Sequence, residues 1–432
     1  MFTNMNETEQ MEFEEVIFDT FQNILEENMV KMSSPNFMEN LIDTVADTIY
    51  SDFINLAPCF EEEIYEYVEE LVENYFETME EVLPPRSSSI GIGLSDIALN
   101  PVIQLQIEKL RLMVQPKQKT PEWYKFRYNL ITASQVYKAL GSQALQNSLI
   151  YEKCKPFTTT DIFSGGSNYA LSSNPRLWGT VFETMSIQIY EDIFPFSKIE
   201  DFGCIQHPIH KFIGSSPDGI NIGLNSSRFG RMIEVKNIVN REITGIPKEE
   251  YWIQMQIQME TCNLEECDFI ETRFKEYLNE EEFYQSLETS SETKYKGILL
   301  CFVENNNNIL FPPIYVFMPL TVELNSKSIN IWIANMKTQY EQTYTLFHTY
   351  YWYLDEFSCI LVKRNQIWFQ YALPKIMDIW KTIETERETG FAHRAPKKRN
   401  TGCFVKINKE EFSCEMKEEQ NYEIATEEQV GF

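Results

Sequence analysis

Gly214-Ser215-Ser216-Pro217-Asp218-Gly219, followed closely by Met232-Ile233-Glu234-Val235-Lys236, is the stretch on which the reading of this chain turns. Asn225-Ser226-Ser227 lies between the two runs and reads as a turn, which predicts a hairpin. Side chains alternate along a strand, so Glu234 and Lys236 share one face while Ile233 and Val235 point into a core. Pro217 and Gly219 shape the backbone around Asp218. Two carboxylates and an ammonium thus fall in a small volume. Phosphodiester hydrolysis uses such a group. Mg²⁺ takes one or two carboxylates and keeps other positions for water and phosphate, and a nearby ammonium balances developing negative charge. Taken singly the signals are weak. Glu-x-Lys on a strand is commonly a solvated ion pair, and Ser-Pro-Asp-Gly is commonly a turn.

Outward from this stretch, strand-like runs are expected at 212–215, 219–222, 231–237, 268–274 and 297–303. Helices are expected at 103–114, 121–127, 134–140, 175–193 and 248–262, with two more, 325–353 and 365–388, closing the region. Gly390 suits a helix C-cap. In 251–259, Gln254, Gln256 and Gln258 alternate with Ile253, Met255, Ile257 and Met259, a strand pattern built from good helix formers. Strands among helices imply an α/β or α+β core.

The net charge of −28 looks hostile to nucleic acid, but it is unevenly spread. Residues 1–84 hold 22 acidic residues against Lys31, a net −21, which leaves −7 for the rest. A local basic groove is compatible with that. Residues 1–84 read as an acidic helical module. Phe13, Ile17, Phe18, Phe21 and Leu25 form one apolar face; Leu41, Val45, Ile49 and Phe53 form a second; Ile64, Val68, Leu71, Val72 and Tyr75 form a third. Residues 85–96 read as a linker, 97–390 as the main domain, and 391–432 as a polar, disordered tail that includes Lys397-Lys398-Arg399. There is no apolar run of membrane-spanning length and no signal-peptide pattern at the N-terminus, so an intracellular, reducing compartment and no membrane partner are expected. The nine cysteines form no C-x-x-C pair and read as buried apolar residues. His207 and His210 flank a proline and read as loop histidines rather than metal ligands.

The ordered motifs resemble the phage lambda exonuclease and YqaJ-type viral recombinase nucleases of the PD-(D/E)XK superfamily. The likeness runs from Trp123-Tyr124-Lys125-Phe126-Arg127 and Ile131-Thr132-Ala133-Ser134 through Trp178-Gly179-Thr180-Val181-Phe182-Glu183. It continues in Ser216-Pro217-Asp218-Gly219 and Glu234-Val235-Lys236, and ends in 251–259. It implies a restriction-endonuclease-like core, a central mixed sheet flanked by helices, behind the acidic helical module. It also implies metal-dependent 5′→3′ resection of duplex DNA ends for recombination or repair.

By the same resemblance, Asp218, Glu234, the Val235 carbonyl and Glu183 would bind Mg²⁺, with Mn²⁺ able to substitute. Lys236 would be the catalytic lysine. Gln256 would be the active-site glutamine on a helix, with Gln254 as the alternative register. Arg127, Ser134 and Ser216 would hold a 5′-phosphate. A homo-oligomer and a single-strand-annealing partner are further implications, as is a host cytoplasmic or nuclear setting if the source is viral. A different class of function is a catalytically silent DNA-end scaffold that recruits partners through its N-terminal helices; an RNA-processing enzyme is a third.

Overall fold

Ile233, Val235 and Ile270 are buried together on one face of a parallel strand pair, and the rest of the architecture is arranged around that pair. The structure is a computed structural model, and it describes residues 5–53, 61–88, 100–118, 120–157, 171, 174–288, 294–305 and 313–396. Three helices open the chain: α1 (Glu7–Asn28), α2 (Phe37–Phe53) and α3 (Glu61–Thr78). Then come α4 (Asn100–Leu112), α5 (Pro121–Tyr128), β1 (Ile131–Thr132), α6 (Ala133–Leu140), α7 (Gln143–Cys154) and α8 (Pro175–Ile193). Four short strands follow, β2 (Ile199–Glu200), β3 (Ile205–Gln206), β4 (Ile213–Ser215) and β5 (Gly219–Asn221), and lead to β6 (Met232–Asn237). The remainder is α9 (Glu249–Cys262), β7 (Glu266–Glu276), α10 (Glu280–Glu288), β8 (Lys296–Glu304), β9 (Ile314–Phe317), α11 (Ser326–Tyr340), β10 (Tyr344–Lys363) and α12 (Gln366–Thr389).

Seven strands form a mixed sheet in the order β2-β5-β6-β7-β10-β8-β9, and β1-β4-β3 form a small second sheet. β6 and β7 run parallel with α9 as the connection between them, the β-α-β arrangement that places a helix against the sheet. The class is therefore mixed α/β. The 212–215, 219–222 and 231–237 runs become β4, β5 and β6, and β5 pairs antiparallel with β6 as a hairpin. At Gly219 a Cβ would lie 2.2 Å from Ile199 Cγ2, so glycine lets β2 pack against the hairpin.

One expected element is wrong. The helix over 325–353 stops at Tyr340, and residues 344–363 form the 20-residue strand β10, paired with both β7 and β8. The run Thr345 to Leu354 is rich in aromatic residues, which favour strands. Tyr350 and Trp352, two apart, are buried on one face.

Residues 251–259 are helical, within α9. Both faces of α9 are buried, so its alternating apolar residues do not mark a strand face.

Behind the hairpin, the fully buried Asp268 of β7 accepts hydrogen bonds from Arg228 (2.6 Å), Arg231 (3.0 Å) and the Tyr190 hydroxyl (2.6 Å). Removing one partner from such a buried ionic group costs about 3–5 kcal/mol, so this network fixes β6 and β7 against α8.

The apolar faces of α1–α3 bury Phe13, Ile17, Phe21, Leu25, Leu41, Val45, Ile49, Ile64, Val68 and Val72, whereas Phe18 stays exposed. These side chains belong to one apolar cluster with residues of α6, α9 and α12. Polar contacts add to it. Trp368 Nε1 donates to the Val30 carbonyl (3.0 Å), Ser33 donates to Glu249 (2.8 Å), and Ser88 pairs with Leu361. Gly390 caps α12 with φ 106°. The basic run 397–399 and the tail beyond it lie outside the described residues, as does part of 85–96. The six described cysteines are unpaired thiols, five of them buried. Among the described residues no helix is long and apolar enough to cross a membrane.

Candidate active site

Asp218 sits just before β5, where its carboxylate accepts the Val235 N–H at 2.7 Å and so ties the first arm of the hairpin to the second. Glu234 and Lys236 share a face of β6, as their spacing requires, and the Lys236 ammonium contacts Glu234 Oε1 directly. Glu234 is 1% exposed. Its two oxygens are each held by an amide, Oε1 by Gln254 (2.8 Å) and Oε2 by Gln258 (2.7 Å), both from α9. Tyr251, also on α9, presents its ring 4.9 Å from Lys236 Nζ.

Glu183 is half-buried on α8. It lies near enough to Asp218 to raise that group's pKa, which burial, Glu234 and Glu183 together push well above the carboxylate range. Burial opposes the Lys236 charge, but Glu234 and Asp218 outweigh it and raise its pKa. Glu183, Asp218, Glu234 and Lys236 are thus brought together.

Gln256 is not part of this group and is a correction. Its amide donates to the Lys363 carbonyl (2.9 Å) and its oxygen accepts from Asn365 N–H (2.7 Å), on the far side of α9. Helix geometry gives the reason: residues four apart share a face, so Gln254 and Gln258 point one way and Gln256 the other. Gln258 escapes a reading of the sequence because the alternating pattern does not reveal an i,i+4 pair.

Asn237 escapes it too. This side chain donates to the Gly179 carbonyl (2.7 Å) and accepts from Ser186 (2.9 Å) and Thr272 (2.6 Å), clamping α8, which carries Glu183, to β6. Gly179 thus acts through its carbonyl; a Cβ there would meet only Asn237 Cβ at an ordinary 3.9 Å.

The donor set is all oxygen, and burial together with Glu234 and Glu183 raises the Asp218 pKa. That chemistry fits a hard divalent cation. Among the described residues no group of three His, Cys, Asp or Glu side chains is placed to hold a metal ion. The Lys236 ammonium is the countercharge in contact with Glu234.

A second polar cluster lies around Arg127. Its guanidinium stacks 4.0 Å over the Trp123 ring and reaches Thr132 Oγ1 at 3.5 Å. Trp123 Nε1 donates to Ser216 Oγ (3.1 Å), and Ser134 Oγ lies 3.3 Å from Thr132 Oγ1. Arg127, Ser134 and Ser216 are therefore joined through Trp123 and Thr132, and Ser216 is two residues from Asp218. Trp123 is half-buried and polar-bonded rather than a plain core residue. His207, by contrast, spends Nδ1 on the N–H groups of Ile209 and His210 (3.1 and 3.0 Å). Burial and His210 lower its pKa to about 4, as suits a loop histidine.

Comparison with known proteins gives three findings. Residues 122–265 match the model of the YqaJ-like viral recombinase domain. An uncharacterized protein of Acanthamoeba polyphaga mimivirus, R354, is 24% identical over 313 residues, covering 64% of this chain and 54% of that protein, so the chain spans about half the length of that relative. Crystal structures of an alkaline exonuclease from Laribacter hongkongensis, one alone and one in complex with dAMP, align at 18% and 17% identity. Each covers 62% of this chain and 95% of that one, with a TM-score of 0.35. Residues 122–265, the segment that holds both clusters, are thus similar to the YqaJ-like viral recombinase domain.

Proposed function

We propose that the chain is a metal-dependent DNA nuclease, an exonuclease that resects duplex ends 5′→3′ for recombination or repair. The observation that carries this reading is the buried Glu234, flanked by Asp218 and Glu183, gripped by two amides and paired with Lys236. Asp218, Glu234, the Val235 carbonyl and Glu183 would hold Mg²⁺ or Mn²⁺, which when bound supplies Lewis-acid stabilisation to the phosphoryl oxygens. Gln254 and Gln258 fix the Glu234 carboxylate so that its oxygens need not reorganise. Lys236 orients the attacking water and offsets charge that develops on the phosphate. Arg127, Ser134 and Ser216 would bind a terminal 5′-phosphate; the N-terminus of α6, where Ser134 lies, adds a favourable dipole.

End-labelled duplexes bearing 5′-phosphate or 5′-hydroxyl, incubated with and without Mg²⁺, test this directly. Metal-dependent release of nucleotides, faster from 5′-phosphorylated ends, is expected. No cleavage with Mg²⁺, or with Mn²⁺ in its place, would favour the silent end-binding scaffold, against which the assembled Glu183, Asp218, Glu234 and Lys236 argue. A self-associated enzyme and a single-strand-annealing partner belong to the same proposal.

The division into a partner-recruiting module (1–84) and a nuclease domain (97–390) is tested by removing residues 1–89. A folded, active remainder would support separability. Loss of folding would make α1–α3 part of the core, the outcome favoured by the shared apolar cluster and the bond from Trp368 to Val30.

A further inference from the structure

Beneath the Arg127 cluster three cations converge from helices far apart in sequence. Arg127 is in the last turn of α5, Lys153 in the last turn of α7, and Arg387 in the last turn of α12. Lys153 Nζ donates to the Arg127 carbonyl at 2.8 Å. Arg387 donates to the Tyr128 carbonyl (3.0 Å) and to the Lys153 carbonyl (2.9 Å), with its guanidinium 4.6 Å over the Tyr128 ring. The carbonyl end of α5 is thus capped by two cationic side chains, a favourable use of the negative end of the helix.

None of the three cations forms a salt bridge with a carboxylate among the described residues. The adjacent Glu152 is bound to Lys138 (3.0 Å) and to Gln135 (2.7 Å). Lys153 is only 5% exposed. A buried ammonium with no carboxylate in contact is costly, and a neutral side chain could cap a carbonyl at lower cost. The excess positive charge makes sense if an anion completes the site.

We propose that Lys153 is a positioning residue. Acting through the Arg127 backbone, with Arg387 behind it, it tunes the Arg127–Ser134–Ser216 cluster for a dianionic phosphate monoester over the monoanionic diester of an internal nucleotide. The inference rests on the end-phosphate reading of that cluster and names what sets its selectivity. A terminal phosphate carries about −1.5 to −2 charge at pH 7, so an uncompensated cationic base favours it.

The same geometry makes the selectivity depend on pH. The charged and titratable groups around Lys153 are Glu152 on its own helix, Arg127 from α5, Arg387 from α12 and Cys204 from the segment before β3, with Lys138 of α6 held on Glu152. Burial dominates and lowers the Lys153 pKa to about 7. A bound dianion pulls it back up, so binding takes up a proton when the pH is above 7.

The test measures binding of 5′-phosphorylated and 5′-hydroxyl duplexes of one sequence to the full chain, between pH 7 and 9 without divalent metal. Calorimetry in two buffers of different ionisation enthalpy counts protons taken up. The phosphate itself titrates near pH 6, so its charge rises slightly with pH and cannot lower the preference over this range. Wild type should lose about tenfold of its preference for the phosphorylated end across the range, one pKa unit being a factor of ten, with net proton uptake. Lys153→Arg, which stays charged, should keep a flat preference without uptake. Lys153→Met should show little preference at any pH. Should Lys153→Met fail to fold, wild type and Lys153→Arg still decide the matter. A preference in wild type that does not vary with pH and involves no proton uptake would overturn the proposal and leave Lys153 as a helix cap. No preference in wild type at any pH would instead remove the end-phosphate reading itself.

Discussion

The carboxylate centre at Glu234 and the cationic centre at Arg127 are built from opposite materials. In the first, Asp218, Glu234 and Glu183 place three acidic groups around one contacting ammonium, that of Lys236. In the second, Lys153 and Arg387 hold the carbonyls at the end of the helix that carries Arg127, and none of the three cations has a carboxylate in contact among the described residues. A centre of excess negative charge recruits a cation and one of excess positive charge recruits an anion. On the proposed reading these are a metal and a phosphate end, and Ser216, two residues before Asp218, joins the two sites along the chain. The two groups of residues come from different elements, the first from α8, the β5–β6 hairpin and α9, the second from α5, α7 and α12.

The harshest way to break this comparison is to remove the charges of the first centre. Lys236→Ala and Asp218→Asn should each lower cleavage by about 10²–10³-fold, the scale of losing one preorganised charge-stabilising group. Far-UV circular dichroism should stay that of wild type. A purified variant that cleaves within tenfold of wild type would sink the assignment of the centre.

The next effect separates the two sides of α9. Gln258→Leu strips Glu234 Oε2 of its amide, so metal affinity should fall about 10–100-fold. Gln256→Leu removes the bonds to Lys363 and Asn365 instead. It should lower the melting temperature, at a cost of about 1–3 kcal/mol for the groups left unpaired, with metal affinity near wild type. Isothermal titration with Mn²⁺ beside a thermal melt distinguishes them, and the reverse pattern would restore Gln256 to the site.

The two centres also differ in how far the sequence discloses them. Asp218, Glu234 and Lys236 lie on one hairpin, so alternation along a strand is enough to bring them together on sequence grounds alone. Arg127, Ser134 and Ser216 can be named only through the motif resemblance. Lys153 and Arg387 are invisible there, because each is an ordinary basic residue at a helix end until three helices meet. Gln254 and Gln258 are half legible: the segment is recognisable, but its apolar residues alternate because α9 is buried all round, and period two says nothing about which glutamine faces Glu234. The long strand β10 escapes for a related reason, since its aromatic residues pack on neighbours at both edges and leave no clean polar face. Apolar residues at helical spacing mark α1–α3 in the sequence, yet that spacing cannot say that their apolar faces merge with α9 and α12.

The smallest effect sharpens the boundary between the centres, and it concerns Trp123. Its ring lies under the Arg127 guanidinium and its Nε1–H bonds Ser216. Trp123→Phe keeps a ring for the cation but deletes the donor. A hydrogen bond of this neutral kind contributes about 0.5–1.5 kcal/mol, which corresponds to a two- to tenfold change in an equilibrium, so preference for a 5′-phosphorylated end should fall about two- to tenfold. Turnover on saturating substrate should stay within about twofold of wild type, because the Val235–Asp218 bond and the amides on Glu234 remain in place. Measuring KM and kcat separately on phosphorylated and hydroxyl ends reads both quantities. If kcat falls as far as the preference does, Ser216 transmits strain to Asp218 across Pro217, and the two centres must be treated as one.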